Sequence, residues 1–95
     1  MLSKVKVALR ITTTAFDDEI TDLINAACAD LGIVGVTATN TTTDPLLTRA
    51  IITYCRLNFG QPDDYDRLKA SYDEQKAQLI TATGYGLPGD ENGQE

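Results

Sequence analysis

"DPLLTRAIITYCRLNFG", residues 44–60, decides the fold. Asp44 is a natural helix cap, Pro45 suits the first helical position, and Gly60 suits the end. On a wheel of about 100° per residue, Leu46, Leu47, Ala50, Ile51, Tyr54 and Leu57 fill one apolar arc of about 140°. An arc that wide belongs on a central helix. The triplet Tyr54-Cys55-Arg56 resembles a reactive site, but three consecutive helical residues do not face one another. Tyr54 lies in the apolar arc, Cys55 at its edge, and Arg56 on a polar face with Arg49. A nucleophilic cysteine needs a base or an electropositive setting, and the chain has no histidine. The segment is expected to pack rather than react. Ile52 and Phe59, one heptad apart on a second side, fit either a central helix packed on several neighbours or a surface that meets another subunit.

Upstream, "TTTAFDDEITDLINAACADLG" carries a second helix. The threonines can cap it, and Asp17, Asp18 and Glu19 in its first turn favour the positive helix end. Phe16, Ile20, Leu23, Ile24, Ala27 and Leu31 repeat at helical spacing, with Cys28 at the edge and Gly32 as the expected C-cap. The first segment, residues 3–10, stays ambiguous. Val5, Val7, Leu9 and Ile11 alternate like a strand, while Leu2, Val5 and Leu9 fit a helix. Between the second and third segments, "IVGVTATNTTT" reads as an extended loop or one short strand. A lone strand needs a partner, so Val34 and Val36 are candidates for a subunit contact.

Downstream, a fourth helix is expected from near Pro62 to about Thr83, with the narrow stripe Tyr65, Leu68, Tyr72 and Leu79. One docked face and a peripheral place follow. Asp66 with Lys69 and Asp73 with Lys76 are i,i+3 pairs on its solvated side. Residues 84–95, rich in Gly and acid, form a tail that cannot build a core alone. The division is residues 1–83 as one helical domain and 84–95 as tail. The class is all-α, a small bundle of about four helices.

Ninety-five residues bound the chain to one small domain, often helped by partners. A hydrophobic share of 42% is enough for a core. The net charge is −6, of which Asp90, Glu91 and Glu95 supply half. An acidic chain without a Lys/Arg block is a poor binder of nucleic-acid phosphates or anionic membranes. Lys4, Lys6 and Arg10 are the one basic cluster, a solvated face or a contact for an acidic neighbour. No apolar run is long enough to span a bilayer and no signal peptide is evident, so a soluble protein made in a cytoplasm is expected. Cys28 and Cys55, far apart and without CxxC, read as free thiols. No cofactor, metal or catalytic residue is expected. "DDYDRLKASYDE" lacks the glycine of a calcium loop.

Taken together, "LRITTTAFDDEITDLINAACADL", "GV", a polar loop, "DPLLTRAIITYCRLNFG", "DDYDRLKASYDEQKAQL" and the closing "GYG" resemble a known family. It is the head–tail connector (adaptor) proteins of tailed double-stranded DNA bacteriophages and prophages. The likeness covers roughly Val5 to Tyr85. It implies a helix for the first segment. It also implies a closed, dodecameric ring beneath the portal protein, extending the DNA channel and docking a stopper or tail-completion protein. DNA would pass without sequence-specific binding, and the protein would be a virion component with no catalytic residues. Family-like positions are Asp18, Ala27, Asp44, Pro45, Ala50, Tyr54, Phe59, Gly60, Tyr72 and Tyr85, which suit capping, turns and packing. Tyr85 and Leu87 are expected to anchor the tail on the portal or an adjacent subunit. Two other readings stay open: another neck or tail ring component, and a small helical regulator that binds a partner protein.

Overall fold

Asp44 sets the start of the central helix as its chemistry dictates. Its Oδ1 accepts hydrogen bonds from the backbone N–H of Leu46 at 2.9 Å and of Leu47 at 3.3 Å. Pro45, which has no N–H to satisfy, follows at the first helical position. The helix runs Pro45–Asn58, then Phe59 turns extended and Gly60 takes φ 69°. The computed structural model describes residues 1–39, 42–60 and 62–81. Within them lie four helices: α1 Leu2–Leu9, α2 Asp17–Ile33, α3 Pro45–Asn58 and α4 Tyr65–Thr81. No strand occurs among the described residues, so the all-α expectation stands. The ambiguous first segment is helical, as the family resemblance implied.

Two helix ends differ from their sequence-based assignments for identifiable reasons. The threonines do not cap α2. Thr13 Oγ1 accepts from the Ala15 N–H at 3.2 Å, one turn upstream, and Phe16 is an N-cap without a side-chain hydrogen bond. The first-turn acids Asp17, Asp18 and Glu19 remain to stabilise the positive end of the helix. At the other end Gly32 stays helical, and Gly35, at φ 87°, is the terminator. The Gly35 N–H reaches the Gly32 carbonyl at 3.0 Å and the Val36 N–H reaches the Leu31 carbonyl at 2.9 Å. This pair of bonds is the Schellman pattern, which brings the residue after the glycine back onto the last turn. Leu31 and Val36 are accordingly both fully buried.

The same pattern closes α1, with Arg10 in the glycine's place at φ 61°. The Arg10 N–H bonds the Val7 carbonyl at 3.1 Å, and the Ile11 N–H bonds the Lys6 carbonyl at 2.9 Å.

α3 is the spine: it packs on α1, on α2 and on α4, while α4 packs chiefly on α3. Leu47, Ala50, Ile51 and Cys55 of α3 join Val5 of α1, Ile20, Ile24, Ala27 and Leu31 of α2, and Tyr72 and Leu79 of α4 in one core. α4 contributes only Leu68, Tyr72 and Leu79 as buried residues, so its docked stripe is narrow as expected. Tyr65, assigned to that stripe, is instead exposed. It stands at the first position of α4, before the helix reaches the core.

Candidate assembly surface

The Tyr54-Cys55-Arg56 triplet splits as a helix requires. Cys55 is fully buried, and burial, with repulsion from Cys28, pushes its thiol up to about 12. Such a thiol carries little thiolate near neutrality, the form a nucleophilic cysteine needs. Cys28 is half-buried, its thiol also pushed up by burial, and both cysteines are free. Arg56 points to solvent. Tyr54 is half-buried and packs edge-on against the Tyr72 ring, centroids 5.4 Å apart. Among the described residues no group of three His, Cys, Asp or Glu could hold a metal ion.

Tyr72 belongs to a polar node that ties α4 to α2. Its hydroxyl donates to Asp30 Oδ2 at 2.6 Å, and Lys76 Nζ donates to the same oxygen at 3.2 Å. The Lys76 ammonium also sits 5.1 Å from the Tyr72 ring centroid. Burial pushes the Asp30 carboxyl up. The Tyr72 hydroxyl and the Lys76 and Lys69 charges outweigh it and hold the carboxyl below its ordinary value. Tyr72 is driven strongly upward by burial and by the Asp30 carboxylate it serves. Lys76 thus reaches across to α2 rather than pairing with Asp73, and Asp73 bonds Lys69 at 3.2 Å in an i,i+4 pair. Arg67 pairs with Asp64.

The residues expected at a subunit contact are placed differently from one another. Val36 is fully buried by the Schellman turn and packs in the protomer's own core. Val34 is half-buried against the same core. Phe59 lies just past the end of α3, so heptad spacing no longer holds for it. Its half-buried ring packs edge-on against Phe16, with centroids 5.5 Å apart. Ile52 does reach the surface. It shares a shallow groove with Ser3, Lys4 and Val7 where α1 crosses α3. Tyr85 and Leu87 lie outside the described residues.

Two surface residues escaped the sequence pattern. Val7 is 78% exposed, because two helical steps separate it by about 200° from the buried Val5. The strand-like alternation of the first segment hid that outcome. Ile33 is 81% exposed, at the outer end of α2, because the helix continues past Gly32. The basic cluster also divides: Lys6 bonds Asp17 at 2.7 Å, whereas Lys4 and Arg10 form no ion pair among the described residues.

No described helix is long and apolar enough to cross a membrane. No curated protein and no solved structure matches the chain. Residues 1–86, which take in all four helices, match the family described as phage connector protein, and the chain belongs to that family.

Proposed function

We propose that the protein is the head–tail adaptor of a tailed DNA phage. It assembles as a ring beneath the portal, extends the DNA channel, and offers its far side to a stopper or tail-completion protein. The observation that carries this reading is the family match over residues 1–86, which makes the chain a structural virion component that associates with other head and tail proteins. The full burial of Cys55 supports a packing role for α3.

Ring closure needs two different contact faces on each protomer. Ile52 with Val7 on the α1–α3 side contributes to one of them, and Val34 and Phe59 border other parts of the surface. In this reading residues 1–83 are the helical body and residues 84–95 a tail. Tyr85 and Leu87 fasten that tail to the portal or an adjacent subunit. DNA passes the acidic protein without sequence-specific contact.

Binding of the purified protein to portal-bearing capsids, viewed by electron microscopy, tests the proposal. A ring of added density below the portal is expected. A stable monomer or dimer that ignores portals would sink it and favour a small regulator. Truncation before residue 84 tests the tail: normal docking of the shortened chain would remove Tyr85 and Leu87 from the contact.

A further inference from the structure

The bases of the protomer fall into two groups. Of its eight bases, four are used internally: Lys6 on Asp17, Arg67 on Asp64, Lys69 on Asp73 and Lys76 on Asp30. The other four, Lys4, Arg10, Arg49 and Arg56, form no ion pair among the described residues. Lys4 and Arg10 stand on α1 or at its end, and Arg49 and Arg56 on the exposed side of α3, where Arg49 also borders Gln75 and Leu79 of α4. Arg49 and Arg56 are exposed and seven residues apart, hence about 10 Å along one stripe of the helix. Lys4, Val7 and Ile52 share the groove beside that stripe, and Arg10 and Arg56 flank a neighbouring hollow. A protein of net charge −6 therefore gathers its unpaired positive charge around an apolar seam.

The opposite side is complementary. α2 buries Ile20, Ile24, Ala27 and Leu31, and α2 and α3 pack on each other. Helical periodicity then puts Asp18, Asp22, Ala29 and Ile33 on the side of α2 facing away from α3. Asp18 and Asp22 are exposed and form no ion pair among the described residues. Ile33 supplies an exposed apolar residue on that side.

We infer that the basic α1–α3 face, Lys4, Val7, Arg49, Ile52 and Arg56, docks on the acidic outer face of α2, Asp18, Asp22 and Ile33, of a second copy. The occupant follows from charge complementarity and from the apolar residue on each side. Two unlike faces on opposite sides of one protomer make a heterologous contact that propagates and can close. The inference rests on the ring reading and names the surfaces that build the ring. Duplex DNA is the rival occupant. It offers no apolar match for Val7 and Ile52, and its phosphates are repelled by the acidic remainder of the chain.

The test uses two full-length variants, Arg49→Glu/Arg56→Glu and Asp18→Lys/Asp22→Lys, with helicity checked by circular dichroism. Ring formation, free or on portal-bearing capsids, is scored by sizing and electron microscopy. In either variant alone like charges meet, and ring yield should fall at least ~10-fold. A one-to-one mixture can alternate the two chains, match every contact, and restore rings, which also shows that both variants fold. Wild-type levels of rings from either variant alone overturn the inference and leave the ring reading standing. So does a folded pair whose mixture stays unassembled, including the case in which rings instead require residues 84–95. Absence of wild-type rings, both free and on portals, overturns both. Loss of binding to a duplex oligonucleotide by Arg49→Glu/Arg56→Glu, with rings intact, assigns the face to DNA.

Discussion

Thr48 and Tyr72 show how differently two buried polar residues are treated. The Thr48 hydroxyl is enclosed and has no hydrogen-bond partner among the described residues. Burying a hydroxyl without a partner costs free energy that an apolar group of similar shape does not. Thr48→Val should therefore stabilise the fold by about 1 kcal/mol, seen as a higher urea midpoint at an unchanged slope. Tyr72 is the opposite case, since its hydroxyl serves the Asp30 carboxylate. Tyr72→Phe keeps the ring against Tyr54 but strands that oxygen with Lys76 alone. A loss of about 1 kcal/mol is expected, moderated by the partial exposure of the site. An unchanged midpoint would show that the node does not hold α4. Neither role was legible in the sequence. Its spacing puts Tyr72 in the docked stripe, but its partner lies 42 residues away, beyond the reach of any local pattern.

At the scale of elements, the helices were legible where both ends carry their own chemistry. α3 has Asp44, Pro45 and Gly60, and all three act as their residue types predict. α2 was legible in phase but not at its ends. Its threonines bond locally upstream, and two glycines competed to stop it. Which glycine wins depends on burying Val36, a tertiary gain invisible in the local sequence. α1 lacks a strong signal at either end, and its stop uses a non-glycine residue in the left-handed region. An L side chain there carries strain of about 1 kcal/mol, so Arg10→Gly should raise the melting temperature by a few degrees. Gly35→Ala should do the reverse by about 1 kcal/mol, because φ 87° disfavours any Cβ. Differential scanning calorimetry on the two variants checks both signs.

For the whole molecule, the proposed contact surface was the least legible feature. Ile52 could be placed near the surface from α3 alone. Val7 and Ile33 required knowing which way α1 and α2 lie. Polarity of charge emerged only once the internal ion pairs were known, because composition counts Lys6 and Arg49 alike. The titrating groups give the fold an alkaline edge. Cys55, Tyr54 and Tyr72 all ionise later in the folded chain than at their ordinary values of 9.0 and 10.0. Their neutral forms are favoured by the fold, so their contribution is fully present below those values and is lost as pH rises through the folded ones. Stability should be flat near neutrality and decline from about pH 9 upward, and Tyr72→Phe should blunt the decline. Asp30 behaves in the opposite sense: its contribution is present above 3.8 and disappears as pH falls further. Urea midpoints across the pH range measure both edges.

The narrow attachment of α4 has a mechanical consequence. It runs back along α3, with Leu79 near Leu46 and Leu68 near Phe59, and apart from α3 it is fastened mainly by the Asp30 node. The chain continues from the end of this helix at Thr81. Tension applied to the segment beyond Thr81 would peel α4 from Leu79 toward Leu68, one turn at a time, instead of shearing the whole core. The three-helix remainder, α1 to α3, keeps most of the buried residues. α4 is thus the element that can yield under load while α1 to α3 keep their mutual packing.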